Sequence, residues 1–282
     1  MNFSSSSNDQ FNQTDLEQYD EAWNDLANIN IDALDESREI CSDCQRPQSV
    51  CFCLDIEPIA SLKNHLIVLQ HPNELKRCLR TTKILELCIP SSNYHLFNGK
   101  RFSFGKFTRL HELIAERETV VLYPSSDAVS LSEIFPNKAS NSLNVLVLDG
   151  TWSQARVLYN SNPFLRSLRC FKLDTAKPSM YVIRTQPAEI CLSTVEAAAL
   201  SLTHLESNPI IFERLTRPLK TICDHQLHNG AVEHQSKEFL ISRGLYRKPL
   251  NKKIRRKLET KHFDKNATPL SDSNGLLKLL DR

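Results

Sequence analysis

Three apolar runs, each followed by a polar turn and a helix-like stretch, succeed one another in the middle of the chain. They are HLIVLQHP at residues 65–72, TVVLYPSSDA at 119–128 and NVLVLDGTW at 144–152. Unbroken runs rich in Val, Ile and Leu are typical of strands that are buried on both faces of a parallel sheet. The pattern therefore predicts an α/β fold, with a mostly parallel sheet and flanking helices.

The turns that end these runs carry many polar and aromatic side chains. The carboxyl ends of parallel strands share one edge of the sheet, and ligands bind beyond that edge. We therefore expect a binding or catalytic site there. The turns are His71-Pro72, Tyr123-Pro124-Ser125-Ser126 and Asp149-Gly150-Thr151-Trp152.

A fourth stretch, at residues 179–206, predicts a strand, a loop and a helix in that order. Ser193 or Thr194 suits the N-cap of this helix, and Glu196 could complete a capping box from the first turn. Beyond Pro218, a further helical region is predicted through Leu240.

The net charge of +2 hides an acidic beginning and a basic end. Residues 1–40 form an acidic extension, predicted to be partly disordered with a helix over residues 15–40, and residues 241–282 form a basic tail. The tail could contact an anionic partner or form a solvated helix, and its KKIRRK segment could be a nuclear import signal. Between the two ends we expect a zinc-binding segment at residues 41–60 and a catalytic domain at 61–240.

Composition and hydropathy predict a folded protein that is not embedded in a membrane. The chain is 40% hydrophobic and 24% charged, close to globular averages. Its apolar runs fall short of the roughly 18 consecutive residues of a membrane helix, and its first residues lack the features of a secretory signal. We therefore expect an intracellular protein, in the nucleus, the cytoplasm or both.

Four of the nine cysteines lie close together in the segment CSDCQRPQSVCFC, at residues 41–53. Intracellular compartments keep thiols reduced, so disulfides are disfavoured. Two short-spaced cysteine pairs can instead surround one tetrahedral Zn2+, with redox-active thiols or chance clustering as the alternatives. Four thiolates leave no coordination position for water, which favours a structural metal. The ligands would be Cys41, Cys44, Cys51 and Cys53.

The other five cysteines are isolated in apolar or helical surroundings, which indicates buried small hydrophobic residues. Only six glycines occur, and the sequence has neither G-x-G-x-x-G nor G-x-x-x-x-G-K-[ST]. A nucleotide held by a Gly-rich loop is therefore disfavoured. The isolated cysteines are Cys78, Cys88, Cys170, Cys191 and Cys223.

The string LDGTWSQAR resembles the signature of the DTW-domain family, whose eponymous residues would be Asp149, Thr151 and Trp152. The four-cysteine segment, HPNELKRCLRTTKIL at residues 71–85 and YVIRTQPAEICLSTVEA at 181–197 support the resemblance. Members of this family are tRNA-uridine aminocarboxypropyltransferases related to the SPOUT class of RNA-modifying enzymes.

The resemblance implies a SPOUT-like α/β fold with a trefoil knot, which holds the cofactor without a Gly-rich loop. Knots are rare in general, so this expectation depends on the resemblance alone. The implied reaction moves the 3-amino-3-carboxypropyl group of S-adenosyl-L-methionine onto N3 of a tRNA uridine and releases methylthioadenosine. The implied partner is tRNA, and the oligomeric state is left open.

Asp149 is the first catalytic candidate, because uridine N3 must lose a proton before it can act as a nucleophile. The alternative is that Asp149 merely caps its turn. Trp152 could stack on uracil or adenine, or pack in the core. Thr151 could hydrogen-bond uracil, or N-cap the helix predicted over residues 153–159.

The implied cofactor has an adenosine end and a zwitterionic amino-acid end, and each suits different residues. An ammonium needs an acid such as Glu196, although the capping box competes for that carboxylate. A carboxylate needs hydroxyls, backbone N–H groups or an arginine near a helix N-terminus. The candidates are Tyr123, Pro124 and Ser125 for adenosine, by analogy with SPOUT knots, and Arg184, Ser193, Thr194 and Glu196 for the amino-acid end.

Contacts with RNA phosphates are expected from basic side chains, principally Arg80 and Arg156. Such contacts would position the RNA rather than select its sequence. Two other functions stay open. One is an RNA methyltransferase of the same fold, because the sulfonium has three electrophilic carbons, and the other is a non-catalytic, zinc-containing RNA-binding protein.

Overall fold

A parallel β-sheet forms the centre of the computed structural model, which describes residues 39–77, 79–135, 142–174, 177–188, 191–247 and 249. Within these ranges the sheet has six strands in the order β2-β1-β5-β3-β6-β4, and every neighbouring pair is parallel. The predicted α/β fold is thus confirmed. The strands are β1 (His65–Gln70), β2 (Tyr94–Asn98), β3 (Thr119–Leu122), β4 (Val129–Ser130), β5 (Asn144–Asp149) and β6 (Arg169–Lys172).

Helices follow or separate most of the strands. The described residues also form short 3-10 helices at Gln48–Val50, Cys53–Asp55 and Pro72–Lys76. The α-helices in this part of the chain are α1 (Thr82–Cys88), α2 (Thr108–Glu116), α3 (Leu131–Ile134), α4 (Trp152–Ser161), α5 (Pro163–Ser167), α6 (Thr194–Glu206), α7 (Ile210–His228) and α8 (Lys237–Ser242).

Both faces of the sheet are covered by helices, and successive residues of a strand point to opposite faces. On β1, Leu66 and Val68 join one hydrophobic cluster with residues of α1, α6 and α7. Ile67 and Leu69 join a second cluster with residues of α2, α4 and α5. All four side chains are fully buried, and each such burial stabilises the fold by about 1.5–3 kcal/mol. Burial on both faces explains the unbroken apolar runs.

The register of the sheet brings the ends of β1 and β5 level with each other. Gln70, the last residue of β1, pairs with Asp149, the last residue of β5. The His71 N–H then donates to the Asp149 carbonyl at 2.9 Å. β3 lies on the other side of β5, where its last residue, Leu122, pairs with Val147. The polar turns after β1, β3 and β5 therefore share one edge of the sheet, as predicted.

The four-cysteine segment forms a small lobe, residues 41–57, that is attached to the sheet domain. Phe52 is 1% exposed and belongs to the same hydrophobic cluster as the buried residues of α7. The Thr221 hydroxyl of α7 donates to Asp55 Oδ2 at 2.8 Å, and Arg217 pairs with Glu57. These contacts make the lobe part of the core on one face of the sheet.

The strand predicted at the start of residues 179–206 is wrong, because residues 179–188 form turns and bends. Backbone N–H groups there bond to side chains instead of to a neighbouring strand. Met180 N–H donates to Glu196 Oε1 at 2.7 Å, and Tyr181 N–H donates to Ser179 Oγ at 3.1 Å. Conversely, the pattern of apolar runs does not predict β2, β4 and β6, which are short or only half-buried.

The helical region predicted from Pro218 to Leu240 has different bounds in the structure. α7 begins before Pro218 and passes through it. Proline has no N–H to donate to the carbonyl one turn earlier, that of Arg214. The Cys88 thiol donates to this carbonyl instead, with Sγ and O 3.8 Å apart. Residues 229–236 then interrupt the predicted region, and α8 follows and crosses the predicted domain boundary at residue 240.

Several predictions fall on residues outside the described ranges. They concern the acidic extension with its helix, most of the basic tail, and Cys78. The trefoil knot also stays a prediction. No helix in the described part of the chain has both the length and the apolar character needed to cross a membrane. Four isolated cysteines are buried as predicted, namely Cys88, Cys170, Cys191 and Cys223.

Candidate active site

A cavity of about 1000 Å³ lies at the carboxyl edge of the sheet. Its walls come from the turns after β3 and β5, the 3-10 helix after β1, the loop at residues 181–187 and the N-terminus of α6. Small-molecule sites in proteins enclose about 300–1000 Å³, so this cavity is large enough for a nucleoside-sized ligand. The two sequence segments with the most candidate residues, 149–156 and 181–194, therefore meet in one place.

Asp149 lies at the bottom of this cavity, with 6% of its surface exposed. Its carboxylate accepts two hydrogen bonds from neutral groups. Gln70 Nε2 donates to Oδ2 at 2.8 Å, and the Thr194 hydroxyl donates to Oδ1 at 2.7 Å. Each oxygen keeps a second lone pair, and the carboxylate forms no ion pair with a cation of the described chain. Asp149 is thus an oriented acceptor, held in place by α6 and β1.

Gln70 is a member of the site that sequence reasoning missed. It is 1% exposed. Its Nε2 donates to Asp149 and to the Thr82 hydroxyl, and its Oε1 accepts from Asn98 Nδ2 at 3.3 Å. This chain of bonds fixes the Asp149 rotamer. A signal was available, because Gln70 is the polar residue that ends an otherwise apolar strand beside the strand of Asp149.

Tyr94 lies near Asp149, and its hydroxyl is kept in the protonated form. Burial, and secondly the negative charge of Asp149, raises the pKa of Tyr94 far above its ordinary value. The Tyr94 hydroxyl donates to the Thr82 carbonyl at 3.4 Å. At neutral pH, Tyr94 therefore remains a protonated donor and takes no part in proton transfer.

His71 has a structural place beside this network. Its Nδ1 accepts from the Asn73 N–H at 3.2 Å and so caps the following 3-10 helix. Burial, followed by the positive charge of Lys100, lowers the pKa of His71. The imidazole is therefore neutral at neutral pH.

The turn after β5 is held by a capping box at the start of α4. The Thr151 hydroxyl accepts from the Gln154 N–H at 3.2 Å, and the Thr151 N–H donates to Gln154 Oε1 at 2.6 Å. Thr151 lines the cavity, but its capping role, one of the two alternatives from the sequence, is present in the structure. The capping box thus fixes the backbone that connects Asp149 to Trp152.

Gly150 is needed because the capping side chain approaches it closely. A Cβ atom added at Gly150 would lie 3.0 Å from Gln154 Cβ and 3.4 Å from His71 Cβ. We expect Gly150→Ala to displace Gln154 and to lower the free energy of unfolding by about 1–3 kcal/mol, the usual cost of overpacking. Urea denaturation measures it. Gly105→Ala is the control, since nothing lies within 4 Å of its added Cβ, and equal stability losses in the two variants would contradict this explanation.

Trp152 and Arg156 lie one turn apart on α4, and both line the cavity. Trp152 is half-buried and belongs to neither hydrophobic cluster of the described residues. Its side chain lines the cavity rather than either of these clusters, and its stacking on uracil or adenine stays a prediction.

The predicted adenosine residues are only partly brought together. Tyr123 and Pro124 line the cavity, and the Tyr123 ring stacks on Tyr159 with centroids 4.0 Å apart. Ser125 does not line it. Because the Ser125 N–H donates to the Tyr123 carbonyl at 2.8 Å, the chain turns away from the cavity after Pro124.

At α6, Ser193 and Thr194 line the cavity and Glu196 does not. Glu196 is 3% exposed, and both oxygens of its carboxylate accept hydrogen bonds from other parts of the protein. Oε2 accepts from the Ser193 N–H and the Ser179 hydroxyl, and Oε1 accepts from the Met180 N–H, all at 2.7–2.8 Å. Glu196 therefore does not reach the cavity in which its cofactor contact was expected. Glu196 is a positioning residue that joins α6 to the loop at 179–188.

Several basic side chains line the cavity. Arg184, Arg80, Arg156 and Lys237 all line it. Arg80 Nη2 donates to Gln45 Oε1 of the cysteine lobe at 3.0 Å, and the Lys237 N–H at the start of α8 donates to the Gln186 carbonyl at 2.8 Å. The two predicted RNA-contacting arginines are therefore both at the cavity.

The four clustered cysteines place their sulfur atoms within 4.8 Å of one another. Cys41 Sγ and Cys53 Sγ are 3.6 Å apart, as are Cys44 Sγ and Cys51 Sγ. Tetrahedral coordination with metal–sulfur bonds of about 2.3 Å requires sulfur–sulfur distances of about 3.8 Å. The cluster therefore has the donor set and the spacing to hold one metal ion.

Comparisons with known proteins identify a family and its relatives. Residues 38–227 match the model of the DTW domain. The tRNA-uridine aminocarboxypropyltransferase 2 of Drosophila melanogaster is 42% identical over 249 residues, which cover 88% of this chain and 98% of the relative. The Mus musculus protein of the same name is 40% identical over 228 residues, 79% of this chain and 76% of the relative.

A more distant relative covers a similar part of the chain. The tRNA-uridine aminocarboxypropyltransferase A of Arabidopsis thaliana is 28% identical over 270 residues, 83% of this chain and 90% of the relative. No solved structure gives a significant match. The matched span contains the cysteine lobe, the turn after β5 and the start of α6, and the chain belongs to the DTW domain family.

Proposed function

We propose that the protein transfers the 3-amino-3-carboxypropyl group of S-adenosyl-L-methionine to N3 of a uridine in tRNA. The observation that carries this proposal is the meeting of Asp149, Trp152, Arg184 and Thr194 in one cavity of about 1000 Å³. The names of the relatives, tRNA-uridine aminocarboxypropyltransferases at 40–42% identity, support the reaction and the substrate.

The uracil is proposed to enter between the turn after β5 and α4. Trp152 is half-buried at the cavity and adjacent in sequence to the acidic turn, so its ring can stack on a base that is turned out of the RNA. Such stacking is worth about 1–3 kcal/mol per base. The Thr151 hydroxyl caps α4, so its proposed role is to stabilise the turn and not to hydrogen-bond the uracil.

Asp149 is the proposed general base. Its carboxylate takes the proton from uridine N3, and the freed N3 electron pair attacks the carbon that joins the aminocarboxypropyl chain to sulfur. The carbon–sulfur bond breaks, and its electron pair stays on sulfur, so neutral methylthioadenosine leaves. Gln70 and Thr194 orient the carboxylate through neutral hydrogen bonds.

The donor is proposed to bind across the remaining walls. Tyr123 and Pro124 lie beside its adenosine, and the N-terminus of α6 with Ser193 faces its carboxylate, together with Arg184. A helix N-terminus and an arginine both favour an anion. Arg80, Arg156 and Lys237 provide positive charge at the cavity for tRNA phosphates.

The metal proposed for the cysteine lobe is a structural Zn2+ held by four thiolates. Four cysteine ligands leave no open position, so the ion would hold the lobe together and would not act on the substrate. Through the bond from Arg80 to Gln45, the lobe also helps to place one of the arginines at the cavity.

Transfer of label from the donor to tRNA tests the function directly. The purified protein and uridine-containing tRNA are incubated with a donor that carries carbon-14 in its amino-acid chain and tritium in its methyl group. We expect carbon-14 in the RNA, no tritium, and methylthioadenosine in solution. Tritium in the RNA would instead identify a methyltransferase, and RNA without either label would contradict both transfer activities.

A further inference from the structure

Glu74 is an acid in the cavity that the proposed reaction does not use. It lies on the 3-10 helix after β1 and lines the cavity, although the residue is only 7% exposed. One carboxylate oxygen, Oε2, pairs with Arg77 Nε at 2.9 Å. The other oxygen, Oε1, is buried and has no hydrogen-bond partner within the described part of the chain.

A buried carboxylate oxygen without a partner is costly, because it loses its water without gaining a donor. The pKa of Glu74 is raised overall, because burial outweighs the effect of the neighbouring charges. Burial raises the pKa of Glu74, and the negative charge of Asp149 raises it further, while the positive charges of Arg77 and Arg184 lower it. A ligand that brings a positive charge and an N–H donor to Oε1 would remove the cost.

Arg184 supplies the opposite charge across the same cavity. Its charge acts on Glu74, but the two side chains form no direct ion pair in the described structure. Glu74 and Arg184 place opposite charges in one cavity without neutralising each other. Such a pair suits a zwitterion, whose ammonium could face the acid and whose carboxylate could face the arginine. The amino-acid end of S-adenosyl-L-methionine is such a zwitterion.

We infer that Glu74 receives the α-ammonium group of the donor, with Arg184 facing the adjacent carboxylate. This assignment depends on the proposed function, and it replaces Glu196, whose oxygens are already occupied behind the wall. The sulfonium cannot take this place because it has no N–H to donate. The N3–H of uracil is left to Asp149, which lies in the same turn as Trp152.

The inference predicts that removing the Glu74 charge affects donor binding selectively. Glu74→Gln should weaken binding of S-adenosyl-L-methionine by about ten- to hundredfold, the range for a lost hydrogen bond to a charged group. Binding of methylthioadenosine, which lacks the amino-acid chain, should be unchanged. Isothermal titration calorimetry measures both affinities without any transfer reaction, so the outcome is independent of whether the label reaches tRNA.

Glu86→Gln is the matched control for this substitution. Glu86 also pairs with a base three residues away, Lys83 at 2.7 Å, but it is exposed on α1 and does not line the cavity. Its substitution should leave both affinities unchanged. Equal losses of the two ligands in Glu74→Gln, or no loss of either, would overturn the inference.

A second measurement keeps the test valid even if Glu74→Gln fails to fold. A donor analogue with a hydroxyl in place of the α-ammonium is titrated into the wild-type protein, where it should bind about ten- to hundredfold more weakly than the donor itself. Where Glu74→Gln does fold, it should bind the analogue and the donor alike, because each change removes the same interaction. Wild-type protein that binds both equally well would refute the role of Glu74.

Discussion

Asp149→Asn should lower kcat by about 10²–10⁴-fold, the usual contribution of a positioned general base. The amide has nearly the shape of the carboxylate but cannot accept the proton from uridine N3. Gln70 and the Thr194 hydroxyl remain in place beside it, so the fold and the cavity should persist. The measurement is single-turnover transfer to tRNA at saturating donor.

Two controls separate chemistry from structure in this variant. Methylthioadenosine affinity should match that of the wild type, which shows that the cavity is intact. Thr194→Val keeps the carboxylate and removes one of its donors, so its loss of kcat should be much smaller. An Asp149→Asn enzyme with activity within about tenfold of the wild type would show that another group takes the proton.

Removal of the metal from the cysteine lobe should destabilise the whole sheet domain. Cys41, Cys44 and Phe52 belong to the same hydrophobic cluster as residues of β1, β5 and α7. Unfolding of the lobe would therefore expose one face of the core. We expect a stability loss of at least about 3 kcal/mol, or roughly 6–12 °C in Tm. Thermal unfolding of the purified protein, with and without a zinc chelator, measures the change.

Substitution of a ligand provides the matched comparison. Cys44→Ser should lose the metal, and its Tm should no longer respond to the chelator. Cys223→Ser changes a buried cysteine outside the cluster, and it should retain one metal per chain by elemental analysis. A wild-type protein that keeps its Tm after complete loss of metal would contradict the structural role.

The sequence predicted the edge of the sheet that carries the site, and the reason is physical. Strands buried on both faces must be apolar, so the three runs mark the strands, and in a parallel sheet their ends must coincide. The same reasoning could not decide which side chains of a loop face the cavity. Glu196 and Ser125 have suitable chemistry, but both are directed elsewhere.

What decides the direction of such side chains is hydrogen bonding between parts of the chain that are distant in sequence. Glu196 binds the loop that contains Met180, and Gln70 binds Asp149 across 79 positions. Glu74 lies in one of the segments that carry the family resemblance, yet a glutamate near an arginine suggests a surface ion pair. The burial of Glu74 depends on the position of the 3-10 helix at the cavity, which the local sequence does not specify.

The docking of α8 on the cavity wall determines where the basic tail begins. The N–H groups of Lys237 and Glu238 bond to the carbonyls of Gln186 and Pro187, and Lys237 lines the cavity, so α8 begins at the cavity wall. The next residues, RGLYRKPLNKKIRRK from Arg243, are strongly basic. We expect a polycation that follows α8 in sequence to raise the effective concentration of phosphodiesters near the cavity, as a short tether does in multivalent binding. Turnover at low tRNA concentration should then depend on the distance between tail and domain.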